Sequence, residues 1–329
     1  MTGNSKQSGF VLGVDIGGTK VAVGLVDGAG KIVSQERKPM PAHGTAEAAL
    51  EAVIGAIDSI SASAVASSGA IQSIGICAPG PLDPKTGVIL NPPNVPCWRN
   101  FPLAERILNQ YHLPVKVDND ANAAALAETR WGAARGYHYI FYATVGTGIG
   151  TGIVLDGRIY HGNTGSAGEG GHVSIDYNGP VCNCGKRGCI EILAAGPAIG
   201  ARARAKLGAE PSRHSIILDL ARGDISAVTS EFVGQAHAAG DPVAREILQE
   251  TVGMLTPWLG NIVDLLDPDV LVMGGGVAAM LSPFFGDIKS HLPNWCVNPR
   301  ASEIPLVMAH YGADAGIAGG AALCSESLS

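Results

Sequence analysis

A histidine followed by three closely spaced cysteines constrains the fold of this chain more than any other sequence feature. The four residues are His172, Cys182, Cys184 and Cys189. One imidazole and three thiolates form a closed tetrahedral site for zinc, and a fully ligated zinc ion has no open position for a reacting water. We therefore predict a zinc ion that holds the shape of this segment and takes no part in chemistry.

Two other roles of the cysteines agree less well with the sequence. Cys182 and Cys184 are too close for an easy disulfide with each other, and nothing else in the chain indicates secretion. A nucleic-acid-binding zinc finger would require a basic surface and paired Cys-x₂-Cys and His spacing. We therefore prefer a structural zinc site to either alternative.

Two carboxylates bracket the predicted metal ligands. Glu169 precedes His172, and Glu191 follows Cys189. A segment held rigid by a metal can present such side chains in a fixed direction. We expect these two glutamates to face a polar ligand.

Length and composition indicate a two-domain α/β protein. A chain of 329 residues is long enough for two domains with a large core. Hydrophobic residues make up 46% of the sequence, charged residues only 16%, and 45 residues are glycine, which excludes a disordered or fibrous chain. The net charge of −7 argues against nucleic acid or an anionic membrane as the main partner.

The remaining cysteines and the start of the chain favour a cytoplasmic protein. Met1–Gly9 is polar and lacks the apolar run of a signal peptide, and charged residues interrupt the alanine-rich stretch Ala46–Ala66. The other cysteines are scattered singly and are expected to be small buried hydrophobic residues: Cys77, Cys97, Cys296 and Cys324.

The first of three glycine turns lies in a predicted β-meander. The runs Phe10–Ile16, Val21–Val26 and Lys31–Lys38 are separated by glycine turns. The segment Gly13–Lys20 approaches a P-loop pattern, but its final residues are in the order Thr-Lys, and a strand follows where a P-loop has a helix. We therefore exclude a P-loop.

The tip of this meander has two possible roles. Successive backbone N–H groups at Gly17 and Gly18 can surround a phosphate group, because glycine has no Cβ. Asp15 can then reach a magnesium ion, while Thr19 and Lys20 contact phosphate oxygens. Taken alone, the segment is equally compatible with an ordinary tight turn.

Two further glycine turns occur at predicted strand ends. Thr144–Gly152 lies between the strand-like runs Tyr139–Ala143 and Ile153–Leu155. Gly274–Gly276 follows the buried run Val270–Met273 and precedes a helix-like segment. Turns of this kind let a backbone approach a phosphate or a flat ligand closely, so three of them in separate thirds of the chain indicate a ligand site.

Helical patterns alternate with these strands in both halves. Asp241-Pro242 is a favourable helix start, and Asp267-Pro268 a favourable stop. The alternation predicts two related α/β lobes that join near residues 117–119. The predicted helices are Thr45–Ser67, Leu103–Gln110, Ala121–Ala133, Pro197–Leu207, Pro242–Leu266 and Ala313–Cys324.

In this order along the chain, the motifs resemble those of the ROK family (repressor, open reading frame, kinase). The resemblance spans Val11–Leu323 and implies an α/β, two-lobed actin-like (ribonuclease-H-like) ATPase fold with a structural zinc knuckle. It implies a small α/β domain of residues 1–118, onto which a C-terminal helix of about residues 313–329 packs, and a large α/β domain of residues 119–312 that carries the zinc site. The motifs are Asp15–Lys20, Asp118–Asn122, Gly146–Gly152, Glu169-x-x-His172 and the cysteine knuckle.

The resemblance also implies a role for each site residue. Asp120 matches the catalytic base; its alternative role is the N-cap of the following helix, although Asn119 or Asp118 can cap instead. The implied sugar contacts are Asn94, Asn119, Asp120, Glu169, His172 and Glu191, with His172 also binding zinc. The implied phosphate and nucleotide contacts are Asp15, Gly17, Gly18, Thr19, Lys20, Thr147, Gly148, Gly275 and Gly276. Gly170 departs from the family, in which a bulky apolar residue is usual, and this glycine can loosen the loop that holds Glu169.

The resemblance implies an ATP-dependent kinase that uses Mg²⁺ and phosphorylates a hexose at its 6-hydroxyl, with glucose as the expected sugar. N-acetylmannosamine, fructose and allose are alternatives, and the family suggests a homodimer or homotetramer. A sugar-responsive transcriptional regulator is a less favoured alternative, because only about ten residues precede Val11 and a helix-turn-helix needs more. A non-catalytic actin-like scaffold ranks last, since it has no need of the zinc knuckle.

Overall fold

The computed structural model describes residues 9–66 and 70–325. Most of the predicted polar leader, Ser67 and the last four residues of the chain lie outside this description. The strands are β1 (Phe10–Ile16), β2 (Lys20–Val26), β3 (Ile32–Pro39), β4 (Ile71–Ala78), β5 (Leu82–Asp83), β6 (Val88–Ile89), β7 (Val115–Asn119), β8 (Tyr139–Val145), β9 (Ile149–Leu155), β10 (Arg158–Ile159), β11 (Val270–Gly274) and β12 (Leu306–Met308). The α-helices are α1 (Ala46–Ala66), α2 (Leu103–Tyr111), α3 (Asp120–Arg130), α4 (Ile190–Ala194), α5 (Gly196–Ala209), α6 (Ile216–Leu220), α7 (Ser230–Ala238), α8 (Pro242–Leu266), α9 (Gly276–Leu281), α10 (Phe285–His291) and α11 (Ala315–Leu323).

The first sheet is built on the predicted β-meander. Its strand order is β3-β2-β1-β4-β7; β1 to β3 are antiparallel neighbours, while β4 and β7 are added parallel to β1. Strands β1 and β2 are almost entirely apolar and buried, as expected for a sheet that is covered on both faces. The carboxyl ends of the parallel strands β1, β4 and β7 therefore lie along one edge.

Side chains of β1 alternate between two cores. Leu12 and Val14 belong to the core that β1 forms with α1 and α2. Val11 packs instead against Ile317 of α11. By the same alternation, Asp15 lies on the α11 face of the sheet.

The backbone of helix α11 packs directly against the backbone of this sheet, without side chains between them. A Cβ on Gly13 would lie 1.9 Å from the carbonyl oxygen of Ile317, and one on Gly75 would lie 1.8 Å from that of Gly320. Helix α11 itself has the sequence AGIAGGAAL, in which most side chains are small or absent. Glycine on the sheet is therefore a steric requirement of this packing.

The second sheet has the strand order β10-β9-β8-β11-β12, and β11 is parallel to both β8 and β12. It repeats the pattern of the first sheet, in which a three-stranded run is extended by two further strands. Helix α8 has the predicted bounds: Asp241 accepts a hydrogen bond from the backbone of Ala244, and Asp267 ends the helix in the left-handed region. Its buried Trp258 meets Phe141 of β8 edge to face, with ring centroids 5.6 Å apart.

Contacts divide the chain into two compact units. The first unit consists of the residues up to His138, Gly152–Gly168 and the residues from His310 onward; the second consists of Tyr139–Thr151 and Glu169–Ala309. Helix α11 belongs to the first unit and contributes to its cores. The cysteine segment belongs to the second.

The predicted α/β class and β-meander are confirmed, whereas several predicted element bounds are wrong. Helix α3 ends at Arg130 and not at Ala133, because the backbone N–H of Gly132 turns back to the carbonyl of Ala127 and the Glu128 carboxylate accepts from the N–H of Ala133. Helix α11 begins at Ala315, after a short 3₁₀ turn. The short helices α6, α7 and α10 were not predicted.

The prediction for the isolated cysteines is confirmed in part. Cys77 and Cys324 are buried, but Cys97 and Cys296 are only half-buried. Among the described residues, no helix combines the length and apolar character needed to cross a bilayer.

Replacing Gly75 by alanine tests the close packing of α11. We expect Gly75→Ala to lower the free energy of unfolding of the first unit by about 1–3 kcal/mol or more, because the new methyl group overlaps a carbonyl oxygen. Gly55→Ala in α1 is the matched control, since the nearest atom to its Cβ is 4.0 Å away. Alanine is favoured over glycine within a helix by about 1 kcal/mol. Denaturant unfolding measures both variants, and a Gly75→Ala protein as stable as the parent would contradict the packing argument.

Candidate active site

The parallel strands of the first sheet bring three polar side chains into one row. The register pairs Asp15 of β1 with Cys77 of β4, and Cys77 with Asp118 of β7. Cys77 is fully buried, and its thiol donates to the carbonyl oxygen of Gly316 over 3.0 Å. Burial and the neighbouring carboxylates raise the pKa of Cys77 well above its ordinary value, so that the thiol remains protonated.

Asp15 occupies a confined position at the edge of this row. A Cβ on Gly316 would lie 2.3 Å from the carboxyl carbon of Asp15, so only glycine leaves it room. Burial raises the pKa of Asp15 to about 6, and repulsion by Asp120 adds to the effect, while Lys20 and Arg37 oppose it. The structure therefore brings together the predicted magnesium ligand, the predicted base and the predicted phosphate-binding lysine.

The glycine tip after β1 contacts the loop that carries Asn94. The backbone N–H of Gly17 donates to the carbonyl of Lys20 over 2.9 Å, which closes the turn. A Cβ on Gly18 would lie 2.6 Å from the carbonyl oxygen of Asn94. Thr19 and Asn94 are exposed at this tip. The predicted sugar contact Asn94 is thus adjacent to the predicted phosphate-binding turn.

The start of α3 shows which residue caps the helix. The side chain of Asn119 accepts from the backbone N–H groups of Ala121 and Asn122 at 3.0 Å and 3.5 Å, so Asn119 is the N-cap. Asp120 is the first helical residue; it is exposed and accepts from the N–H of Ala121 at 2.8 Å. The carboxylate of Asp120 therefore lies at the positive end of the helix.

In the second unit, Glu191 holds the glycine turn after β8. Its Oε2 accepts from the backbone N–H of Ile149 over 3.0 Å, and a Cβ on Gly148 would lie 2.7 Å from the same oxygen. Its Oε1 lies 3.9 Å from Nδ1 of His172. Glu191 therefore connects the metal segment to the predicted phosphate-binding turn, a link that the sequence did not predict.

A cavity of about 630 Å³ opens in the second unit beside two of the predicted glycine turns. Gly275 has a φ of 87°, and a Cβ there would lie 2.4 Å from the carbonyl oxygen of Val145. The cavity is larger than a single phosphate requires and is in the range of small-molecule pockets. Sequence reasoning found Thr147 and Gly276 in its lining but missed the members that lie on α5 and the unpredicted α7; these include Gly196, Arg204, Glu231 and Gln235.

The four predicted metal ligands come together. Nδ1 of His172 lies 3.8 Å from Sγ of Cys182, and Sγ of Cys184 lies 3.6 Å from Sγ of Cys189; all four ligand atoms lie within 4.8 Å of one another. Metal–sulfur bonds of about 2.3 Å in a tetrahedron imply separations of about 3.8 Å between ligand atoms. The donor set and its spacing therefore fit a tetrahedral metal ion.

Tight glycine turns allow this arrangement. Gly185 and Gly188 have φ values of 89° and 61°, and a Cβ on Gly188 would lie 1.7 Å from the carbonyl oxygen of Asp176. Burial and the neighbouring thiols raise the pKa of Cys189, because ionising several adjacent thiols is unfavourable without a cation. A bound cation would remove that penalty.

Gly170 does not leave the Glu169 segment loose. Its N–H donates to Oγ1 of Thr151 over 2.7 Å, and its carbonyl accepts from Nε1 of Trp258 over 3.0 Å. A Cβ would lie 2.7 Å from the same Thr151 oxygen, so the larger residue usual in the family does not fit here unless its neighbours move. Glu169 itself is exposed directly before the short 3₁₀ turn Gly170–His172.

Comparison with known proteins agrees with this architecture. The ROK family matches residues 11–327. The chain is 32% identical to a glucokinase of Streptomyces coelicolor over 97% of this chain and 98% of the relative, and 34% identical to an N-acetylmannosamine kinase of Escherichia fergusonii over 95% and 97%. A crystal structure of a ROK family glucokinase from Streptomyces griseus, in complex with glucose and AMPPNP, is 33% identical with a TM-score of 0.80 and covers 96% of this chain and 99% of that chain.

The chain has two five-stranded sheets whose strand orders correspond, with helices packed on them and glycine turns at strand ends. This architecture defines a protein of the actin-like ATPase class. The chain belongs to the ROK family. The resemblance inferred from the sequence motifs is thereby confirmed.

Loss of one cysteine tests the metal site. We expect Cys184→Ser to lower the metal content of the purified protein to a small fraction of that of the parent, and to lower the melting temperature, because the segment loses its cross-link. Cys296→Ser is the matched control, as this thiol lies outside the cysteine cluster and donates to backbone carbonyls of its own segment. Elemental analysis and calorimetry give both values. A parent protein without bound metal would rule the site out.

Proposed function

We propose that this chain transfers the γ-phosphoryl group of ATP to the 6-hydroxyl of a hexose, with glucose as the preferred acceptor. One observation carries the proposal: Asp15 and Asp120 approach each other beside the glycine tip, at the edge where β1, β4 and β7 end. The full-length similarity to glucokinases supports the same reaction. Phosphoryl transfer requires two such features, a base for the acceptor and positive charge for the phosphates.

Asp120 is proposed to accept the proton of the 6-hydroxyl as its oxygen attacks phosphorus. Because Asn119 caps α3, the carboxylate of Asp120 is not needed as the N-cap. Its exposed position at the helix start leaves the carboxylate accessible to an acceptor hydroxyl. Such a base contributes about 10²–10⁴ in rate.

The nucleotide is proposed to occupy the cavity of the second unit. Gly275 and Gly276 would adjoin the adenosine, and Thr147 and Gly148 the phosphates, because the three glycines have no side chain that would block a ligand. Thr147 and Gly276 line the cavity. The glycine tip of the first unit is proposed to bind phosphate as well, through Gly17, Gly18, Thr19 and Lys20.

Mg²⁺ is proposed to bind at Asp15. A carboxylate is the type of ligand that Mg²⁺ prefers, and burial together with the neighbouring Asp120 raises the pKa of Asp15, so that a cation bound beside these two carboxylates would be favoured. A bound Mg²⁺ ion would supply charge neutralisation for the phosphates.

The sugar is proposed to contact carboxylates and amides, which hydrogen-bond vicinal hydroxyl pairs. A site of this kind rejects sugars that leave its polar groups unpaired. A metal in the cysteine segment, proposed to be zinc, would have a structural role, because the four candidate protein ligands would complete the tetrahedron. The proposed contacts are Asn94, Asn119, Asp120, Glu169, His172 and Glu191.

Another acceptor sugar is the second candidate. The chain is as similar to an N-acetylmannosamine kinase as it is to glucokinases, so the family alone does not choose between these sugars. Fructose and allose are further alternatives. The cytoplasmic location and the homo-oligomeric state, dimer or tetramer, remain predictions.

A sugar panel tests the proposed reaction. We expect ADP release to be fastest with glucose among glucose, fructose, allose, N-acetylmannosamine and N-acetylglucosamine.

Asp120→Asn should lower kcat by about 10²–10⁴ while sugar affinity changes only a few-fold, because the base acts in the transition state. Asp156→Asn, on an exposed turn of the same unit, is the control and should keep full activity. Absence of turnover with every hexose would refute the proposal.

The pKa of Asp15 predicts an acid limit of activity. Mg²⁺ needs the ionised carboxylate, which is lost as the pH falls through about 6 in the free enzyme. We therefore expect kcat/KM for MgATP to fall about tenfold per pH unit below about pH 6. Initial rates at constant ionic strength give the profile, and a flat profile down to about pH 5 would contradict the assignment.

The same carboxyl should oppose folding at neutral pH, which supplies a control independent of activity. The folded pKa of about 6 exceeds the ordinary 3.8, so the neutral form favours the folded state. That stabilisation is complete below about pH 4 and is lost as the pH rises through about 6, leaving a cost on the order of 3 kcal/mol. Asp15→Asn should therefore raise the free energy of unfolding at neutral pH while it abolishes turnover. Unchanged stability would show that Asp15 is less buried than we infer.

A further inference from the structure

His161 binds the buried carboxylate that immediately precedes the proposed catalytic residues. Its Nε2 lies 2.6 Å from Oδ2 of Asp118. Asp118 is 4% exposed, whereas the imidazole, in the segment after β10, is about one-third exposed. No sequence motif connected these two residues.

The other oxygen of Asp118 reaches into the start of α3. Oδ1 accepts from the backbone N–H of Asn119 over 2.7 Å and from Nδ2 of Asn122 over 3.2 Å. Rotating the carboxylate would break both bonds. It would therefore release the residue that caps α3 and the first turn, where Asp120 lies.

The charged groups around His161 are mostly basic, and its direct hydrogen-bond partner is Asp118. A cavity of about 250 Å³ beside it is also lined by Lys116, Arg130 and Arg158, and an adjoining cavity by Asp83 and Lys85. In this mainly basic environment, Asp118 is the group in direct contact with the imidazole. The hydrogen bond from His161 to Asp118 raises the pKa of His161, which outweighs the opposite effect of burial.

We propose that His161 is a positioning residue that holds Asp118 in the orientation that fixes Asn119 and directs Asp120 towards the acceptor hydroxyl. This inference rests on the proposed function. Small displacements of a reacting group cost large factors in rate, since productive geometry is narrow. The hydrogen bond between His161 and Asp118 is therefore able to affect kcat, although neither residue is proposed to touch the substrate.

The decisive comparison is between two substitutions of the same histidine. His161→Phe keeps the ring volume but removes the donor, and we expect kcat for glucose to fall between about tenfold and about 100-fold. His161→Gln keeps an N–H near the position of Nε2 and should restore kcat to within about threefold of the parent. KM for MgATP should stay unchanged in both, because the proposed nucleotide contacts lie elsewhere. A purely structural role would instead lower the melting temperature and would not separate kcat from KM.

A double-mutant cycle shows whether His161 acts through Asp118. If it does, His161→Phe should lower kcat much less in an Asp118→Asn background than in the parent, so that the two effects are not additive. An NMR titration gives a second readout: the pKa of His161 should fall in Asp118→Asn. His138→Phe is the matched control, since His138 faces Asp156 in a pair that is 71% exposed on both sides.

The outcomes separate this inference from the proposed function. An inactive parent refutes the kinase assignment itself. An active parent with normal kcat in His161→Phe, or with equal losses in the Phe and Gln variants, or with additive effects in the cycle, overturns the positioning role alone.

Discussion

The contact between helix α11 and the first sheet is the constraint on which the first unit depends. Glycines on the sheet and small residues on the helix let two backbones meet without intervening side chains. This approach also confines the half-buried Asp15 against Gly316, and burial together with repulsion by Asp120 raises the pKa of Asp15 to about 6. The close packing of α11 on the first sheet therefore has two effects. It forms part of the core, and it lowers the polarity of the surroundings of Asp15.

In each unit, a buried or half-buried carboxylate contacts two segments that are far apart in the sequence. In the first unit, Asp118 joins His161 to the backbone of Asn119. In the second, Glu191 joins the glycine turn after β8 to the metal-binding segment. A carboxylate suits this task because its two oxygens accept several hydrogen bonds in different directions. In each unit, an acidic side chain therefore holds the backbone of a residue at or beside the proposed substrate contacts.

The second unit brings its candidate metal ligands together through tight turns. Its cysteine segment contains little regular structure, and left-handed glycines fold it tightly enough to bring four ligand atoms together. The segment before it is fixed by Thr151 and Trp258 through the backbone of Gly170. A metal bound to these four ligands would cross-link the segment and hold Glu169 and His172 in place.

The sequence by itself determined what local patterns encode. Alternating apolar runs specified the β-meander, an Asp-Pro pair at each end specified α8, and the spacing of His172, Cys182, Cys184 and Cys189 specified the metal ligands. Tertiary structure alone decided the row of Asp15, Cys77 and Asp118, the hydrogen bond from Ile149 to Glu191, and the cavity lined by the unpredicted α7. It also decided between Asn119 and Asp120 as the helix cap. Periodicity and spacing report on neighbours along the chain, whereas register, close backbone approach and burial depend on residues far apart in sequence, and these set the pKa values and orientations of the site.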